Sequence, residues 1–221
     1  LGRLYTNRLS GEYFTRMESF NRDYLKILQA QNYGALSEDG KIDYVLFRNY
    51  LEKQLAELDL EKRDFMQIQS VIAFGKPLEA FVVGRRRAVQ PDAQALAAQW
   101  NQVAQALDSQ QKALATSSKY DSWQKADLAA QAVESLGKVV KESYDFYFDF
   151  DPSFTWWMPA PWETLDASMK AYAKALRAHY TNSVKDDGSG IIGKPIGRES
   201  LEKQLAFEMI AYTPEELIAE A

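Results

Sequence analysis

Apolar residues recur at helical spacing along most of the chain, and this pattern predicts an all-α protein. Between residues 12 and 33 they fall three or four positions apart, and Gly34 supplies a stop. A second helix begins at Ser37 and runs past Leu60, with charged residues between its apolar positions. The stretch that follows is ambiguous, because Pro77 forces either a break or a new helix start.

Two further helices have clear starts. Asp92 stands at the N-cap position before an Ala/Gln-rich helix, and another helix extends from about Ser122 to Tyr147. Because only a short loop separates these two helices, we expect them to pack as an antiparallel pair. Pro161 suits the first turn of the next helix, where its missing N–H does no harm, and 199–211 forms one more helix.

A capping box predicts the start of the last helix. Thr213 and Glu216 have the required spacing, and Pro214 occupies the first helical position. The sequence ends soon afterwards at Ala221, without a glycine stop or a cationic last turn, so we expect it to be part of a longer protein. The predicted fold is an all-α multi-helix bundle with long antiparallel helices.

The stretch 144–162 interrupts this regular pattern. It contains nine of the chain's 28 aromatic residues (5 Trp, 12 Tyr and 11 Phe in all), and its second half carries three prolines. Such a composition must bury itself against something, and it predicts an irregular, aromatic and Pro-rich loop. We therefore expect a helical bundle over 1–143, followed over 144–221 by this loop and the first helices of a larger domain that continues beyond the chain.

Composition excludes several classes of function. The net charge of −5 and pI near 5.1 argue against nucleic-acid binding, and no stretch has the apolar length of a membrane span. The absence of cysteine excludes disulfides and thiolate metal sites. No signal peptide is visible, yet the chain begins at Leu1, so a secreted or periplasmic location stays open.

Candidate chemistry begins with the single histidine. A Ser-His-Asp mechanism would have to centre on His179, which lies at the end of a helical pattern, where a cation complements the helix dipole. Catalytic zinc usually takes three protein ligands dominated by His, so a self-contained zinc site is not expected. We assign no catalytic and no metal-binding residue to this chain.

Acidic residues flank the aromatic stretch, and this arrangement leaves two interpretations open. Asp149 and Asp151 among tryptophans would suit a glycoside hydrolase or a sugar-binding site. The same residues also suit an extended segment with its polar groups outward, and Asp151 before Pro152 is a common way to open a turn. We rank the carbohydrate hypothesis below the others.

The Gly-rich stretch GIIGKPIG at 190–197 is not a phosphate-binding loop, because the Gly-Lys-Ser/Thr ending is missing. Arg198 follows this stretch at the start of the next helix. Its guanidinium could grip a carboxylate such as a peptide terminus, or it could pair with Glu199 or Glu202.

Three stretches carry a resemblance to a known family. They are DYVLFRNYLEKQLAEL at 43–58, DPSFTWWMPAPWETLDASMKAYAKALR at 151–177 and SGIIGKPIGRESLEKQLAFEMIAYTPEELIAEA at 189–221. The sequence closely resembles the family catalogued as domain of unknown function 885, from about residue 40 to the end and most strongly over 150–221.

The resemblance implies a helical zinc metallopeptidase relative more than twice as long as this chain. In that family a His-Glu motif followed by Pro-Gly-His-His stands in the C-terminal half, where histidines bind zinc and the glutamate serves as general base. His179 matches no part of this motif, so no catalytic residue can be carried over. Zinc is expected only in the C-terminal half, which the resemblance makes the chain's natural partner.

Three hypotheses of function follow. The chain is the non-catalytic N-terminal half of a zinc-dependent, peptidase-like hydrolase, or it is an autonomous helical binding or scaffold module, or, with least support, it is a carbohydrate-binding domain. For the first hypothesis, the candidate residues for contact with a peptide substrate or with the rest of the protein are Trp156, Trp157, Arg198 and Tyr212. Tyr212, which precedes the capping box, could equally serve as a hydrophobic staple.

Overall fold

The computed structural model describes residues 10–181 and 196–220, and within these ranges every regular element is helical. The α-helices are α1 (Gly11–Gln29), α2 (Glu38–Ile68), α3 (Lys76–Arg86), α4 (Ala93–Leu114), α5 (Trp123–Phe148), α6 (Pro152–Trp157), α7 (Pro159–Arg177), α8 (Arg198–Phe207) and α9 (Pro214–Glu220). Short 3-10 turns at Tyr33–Ala35 and Ala73–Gly75 precede α2 and α3. The all-α prediction is confirmed.

The capping residues that the sequence singled out begin the helices as predicted. The Asp92 carboxylate accepts a hydrogen bond from the Ala95 N–H at 3.0 Å, at the start of α4. At the start of α9 the Thr213 hydroxyl accepts from the Glu216 N–H at 3.2 Å, and the Glu216 carboxylate accepts in return from the Thr213 N–H at 2.7 Å. This reciprocal pair is the predicted capping box.

The chain forms two compact units. Unit 1 comprises Leu1–Tyr13 and Asp64–Asp187, and unit 2 comprises Phe14–Arg63 and Gly188–Ala221. The predicted division near residue 143 falls inside α5, whose buried face continues without interruption from Ala126 to Tyr147. Most of the Gly-rich stretch 190–197 lies outside the described residues.

Helix α7 is the central packing element of unit 1. Its contacts with α4 and α5 are the most extensive in the unit, so α7, rather than α5, is the main neighbour of α4. The buried face of α5 includes small residues: Ala129 and Ala130 are fully buried, and Gly137 faces the Met169 terminal methyl of α7, which a Cβ at this position would meet at an ordinary contact distance of 3.5 Å. Helices α4 and α5 therefore both pack against α7, whereas the sequence predicted that they would pack directly against each other.

An aromatic cluster forms the middle of the unit 1 core. The Trp100 ring is fully buried, and its centroid lies 5.3 Å from the Phe81 ring and 5.7 Å from the Trp162 ring. Phe154 packs 5.5 Å from Tyr144. Rings at such separations contribute about 0.5–1.5 kcal/mol per pair beyond the area that they bury. Tyr144, Tyr147 and Phe154 are therefore buried, as the sequence led us to expect of the whole stretch. Four of its other aromatic residues stay exposed, namely Phe146, Phe150, Trp156 and Trp157.

The aromatic stretch is more regular than the predicted loop. Residues 144–148 form the last turns of α5, α6 follows directly after Asp151, and α7 begins at Pro159. Pro152 and Pro159 occupy first helical positions, where proline starts a helix rather than breaking it. The two prolines that suggested an irregular loop therefore each begin a helix, Pro152 at α6 and Pro159 at α7.

Unit 2 is built from α1 after Tyr13, α2 up to Arg63, α8 and α9. The Lys62 ammonium pairs with the Glu18 carboxylate at 3.2 Å, and the Asn49 amide donates a hydrogen bond to the Phe207 carbonyl at 2.7 Å. An open pocket of about 560 Å³ lies between the α1–α2 connection and the first turns of α2. The large apolar side chains that stay exposed on α1 and on α2 up to Arg63 are Tyr24, Ile27, Ile42, Val45, Leu46, Phe47 and Tyr50.

Across residues 10–181 and 196–220, each helix is too short or too polar to cross a lipid bilayer.

The backbone conformation at the end of α3 can be tested by mutation. The Val89 N–H bonds back to the Gly84 carbonyl at 2.9 Å, and Ala88 adopts a φ of 57°, so the helix ends in a Schellman motif with a non-glycine residue in the left-handed region. We expect Ala88→Gly to raise the free energy of unfolding by roughly 0.5–1 kcal/mol, measured by urea denaturation. The matched control is Ala115→Gly at the end of α4, where φ is −61° and glycine should destabilise by a similar amount. Equal effects of the two variants would contradict the assignment.

The buried tyrosines give a second test. Burial, with a smaller effect of Tyr120, raises the pKa of Tyr172 to about 12. An unfolded tyrosine ionises near pH 10, so the stability that this residue contributes is intact below about pH 10 and is lost as the pH rises towards 12. We expect Tyr172→Phe to lessen the loss of stability between pH 8 and pH 11 by about 1 kcal/mol, measured from urea midpoints. An unchanged pH dependence in the variant would refute this expectation.

Candidate functional site

Helix α6 is fixed at its start by Asp151. One carboxylate oxygen accepts hydrogen bonds from the N–H groups of Ser153 at 2.9 Å and Phe154 at 3.3 Å, and the other accepts from the Gln90 side chain. Pro152 stands at the first helical position. Asp151 therefore acts as an N-cap, which is the turn-opening role that the sequence offered as the alternative to catalysis. Of the two aspartates in the carbohydrate hypothesis, Asp149 alone is left with an open side chain in the described part of the chain.

The two faces of α6 differ sharply in exposure. Phe154 and the following Met158 are 0% exposed, whereas Trp156 is 81% and Trp157 41% exposed. Residues two apart on an α-helix point roughly 200° apart, so the burial of Phe154 directs Trp156 away from the core. Trp156 thus lies on the outer face of the helix, whereas Trp157, only about 60° around the helix from Phe154, lies at the edge of the buried face.

An open surface pocket of about 420 Å³ adjoins Trp156. Its walls come from the end of α5 and from α6, and the residues that line it are Phe148, Asp149, Phe150, Pro152, Thr155 and Trp156. The Phe150 ring is 74% exposed. The pocket therefore presents aromatic surface together with one carboxylate, and its lining includes no Lys or Arg.

The electrostatic character of this pocket is negative. Asp149 is the C-cap residue of α5, a helix of 26 residues, and the carbonyl end of a helix carries partial negative charge. The last turn of α5 contains no basic residue to offset it. Within residues 10–181 and 196–220, Asp149 forms no ion pair. Its neighbour one turn earlier, Asp145, pairs with Lys141 at 2.6 Å.

A cation already sits on the neighbouring ring. The Arg85 guanidinium carbon lies 5.2 Å from the centre of the Phe146 ring. Phe146 and Phe150 are one turn apart, and their ring centres are 6.2 Å apart with nearly parallel planes. The aromatic row therefore has one ring covered by a cation and a second ring open to solvent at the pocket.

The other two sequence candidates, Arg198 and Tyr212, belong to unit 2. Arg198 forms a two-pronged ion pair with Glu215, in which Nη2 lies 2.9 Å from Oε2, and its Nε donates to Glu202 at 2.7 Å. These contacts raise the pKa of Arg198 and lower that of Glu215. The pair with Glu202 is the structural alternative named from the sequence. Gripping an external carboxylate would require Arg198 to release Glu215.

Tyr212 is exposed immediately before the capping box of α9.

The environment of His179 is that of a structural residue. His179 is buried, and its Nε2 lies 3.1 Å from both the Ser118 carbonyl and the Ser117 hydroxyl. A carbonyl only accepts, so we assign the proton to Nε2. The Ser117 hydroxyl donates to the Leu114 carbonyl at 3.0 Å. Ser117 thus accepts from the imidazole, which is the reverse of the arrangement that a nucleophilic serine needs.

In the part of the chain that the structure describes, no three His, Asp or Glu side chains come together as a metal site. His179 uses its Nε2 to bond the loop before α5, and its hydrogen-bond partners among residues 10–181 and 196–220 include no carboxylate. The family resemblance places zinc in the C-terminal half and not among these residues, and no chemical step here is routed through a metal.

Sequence reasoning did not single out Phe150 as a site residue. The signal was present, because Phe146 and Phe150 are four residues apart and four residues make about one helical turn. In a loop, residues four apart need not point the same way, so the predicted loop gave no reason to place the two rings on one face. The N-cap at Asp151 defines where α6 begins and how the helix is rotated. That rotation places Phe150 and Trp156 at the same pocket.

The exposure pattern of α6 predicts very different costs for its two aromatic residues. Phe154→Ala should lower the free energy of unfolding by about 3–5 kcal/mol, because it opens a cavity in the aromatic core. Trp156→Ala should change it by about 0.5 kcal/mol or less, because little of its surface is buried on folding. Urea denaturation measures both. A large loss for Trp156→Ala would show that the residue supports the fold rather than a binding surface.

Comparison of the chain with models of known protein families, with curated proteins and with solved structures finds no match in any of the three.

Proposed function

We propose that this chain is the helical scaffold part of a peptidase-like hydrolase, and that the outer face of α6 contributes to the cleft that receives a peptide substrate. The observation that carries the proposal is the 81% exposure of Trp156 on a helix whose opposite face is buried. The family resemblance supplies the class of the hydrolase, and it assigns the zinc and the general base to the C-terminal half.

A rigid aromatic surface suits recognition of an extended peptide. The Asp151 cap and the burial of Phe154 fix α6 before any ligand arrives. Trp is enriched among the residues that dominate binding energies, because it offers a large contact area with few rotatable bonds. Little ordering entropy would therefore be lost at Trp156 on binding.

The role proposed for the chain is binding rather than bond cleavage. Two residues whose chemical types could serve catalysis, His179 and Asp151, have their polar atoms engaged in structural hydrogen bonds. The imidazole of His179 bonds Ser117 and Ser118, and the carboxylate of Asp151 caps α6. Releasing these contacts would unfasten the loop before α5 and the start of α6.

An autonomous binding module is the second candidate. It is favoured by the continuous core of unit 1, in which α7 closes the space between α4 and α5. Such a core gives the aromatic face of α6 a stable support without further contacts. In this case the same surface would serve a protein or peptide partner instead of a substrate.

The test is peptide binding by the purified chain. We expect fluorescently labelled, unstructured peptides to bind, and Trp156→Ala to weaken the affinity about tenfold or more, measured by fluorescence anisotropy. The matched control is Trp157→Ala on the same helix, which lies outside the pocket lining and should weaken binding less.

Native mass spectrometry with zinc quantification, and a peptide hydrolysis assay, complete this test. A scaffold role predicts no stoichiometric zinc and no cleavage by the chain alone. Reproducible metal-dependent cleavage by the chain would overturn the scaffold role, and equal affinities of wild type and Trp156→Ala would overturn the assignment of the cleft.

A further inference from the structure

We infer that the pocket between the end of α5 and α6 binds an organic cation, namely the ammonium group of a lysine side chain or of a small quaternary amine. The inference names a ligand class for the surface of the proposed function, and it rests on that function only for the peptide as the source of the cation. Three features of the described residues converge on it: a helix carbonyl end, an open carboxylate and exposed aromatic rings.

The first two features make the pocket attractive to positive charge. Asp149 stands at the C-cap of α5, where a negative side chain adds to the partial negative charge of the helix end. Such a placement is unfavourable for the isolated helix, and neither the last turn of α5 nor the pocket lining provides a cation to offset it. A bound ammonium group would interact favourably with both the carboxylate and the helix end.

The aromatic rings select an organic cation over a hydrated metal ion. Phe150 and Trp156 expose their rings at the pocket, and the face of an aromatic ring attracts an ammonium or guanidinium group within about 6 Å. The adjacent ring of Phe146 already makes this interaction with Arg85. The protein thus already makes a cation–π contact about one helical turn away. The exposed ring of Phe150 could make the same contact with a bound cation.

The size of the pocket fits this ligand class. Its volume of about 420 Å³ falls within the range of small-molecule sites, and it is a shallow pocket that is broadly open to solvent. A trimethylammonium group or the end of a lysine side chain could enter while the remainder of the ligand stays outside. The open side is compatible with a cation carried by a longer chain.

The decisive probe is choline against its neutral carbon isostere, 3,3-dimethyl-1-butanol. The two molecules have nearly the same shape and differ in charge. We expect choline to cause saturable shifts in the ¹H–¹⁵N NMR signals of residues 148–157, and to bind about tenfold more tightly than the alcohol. The affinity for choline should fall with rising salt, because the site is exposed to solvent.

Two variants divide the contributions. Asp149→Asn should reduce the choline affinity about tenfold, and Trp156→Ala should remove saturable binding. The matched control is Asp145→Asn, one turn earlier, where the carboxylate is paired with Lys141 and lies outside the pocket. Circular dichroism checks that each variant folds, and Asp149→Glu, which keeps the charge, should retain most of the binding.

The outcomes separate this inference from the proposed function. Equal affinities for choline and the alcohol, or equal effects of Asp149→Asn and Asp145→Asn, would overturn the cation site even if neutral peptides bind through Trp156. Binding of lysine-containing peptides, but not of their acetyl-lysine counterparts, identifies a peptide as the source. Binding of choline without any peptide binding would support the cation site, identify a free amine as the ligand and count against the substrate cleft.

Discussion

The burial of Phe154 is the constraint on which the surface of unit 1 depends. Its ring lies among Phe81, Tyr144 and Tyr147, with centroid distances of 6.1, 5.5 and 5.3 Å. Because α6 has only six residues, a single buried ring fixes its rotation, and that rotation alone decides which side chains face solvent. The exposed tryptophan is therefore a geometric consequence of the core.

The connection between α5 and α6 brings a helix carbonyl end, carboxylates and aromatic rings close together. The connection between α5 and α6 is only three residues long, so it brings the carbonyl end of one helix beside the start of the next. The N-terminal end of α6 is satisfied by the Asp151 carboxylate, whereas Asp149 adds charge at the end of α5. Aromatic residues needed in the core on one side of these helices continue onto the solvent side. Packing and recognition thus draw on the same short stretch of sequence.

The sequence predicted the helices well because their signals are local. The N-cap of Asp92 and the capping box at Thr213 involve atoms within three residues, and the structure confirms both. The partners of the helices depend on residues far apart in the chain. Nothing local shows that α7 would pack between α4 and α5, or that Arg198 would meet Glu215. The pocket beside Trp156 needed the rotation of α6, which depends on contacts with Phe81.

The division of unit 2 bears on how the chain reaches its folded state. Its two segments, Phe14–Arg63 and Gly188–Ala221, are separated by nearly all of unit 1, and the Asn49 amide finds the Phe207 carbonyl only across that interval. On the ribosome the first segment emerges long before the second. Until the second segment is made, α2 lacks the partners that its Asn49 and Lys53 side chains bond in the finished unit. Unit 1, whose described helices from α3 to α7 are continuous in sequence, can complete its core first, so synthesis itself imposes an order on folding.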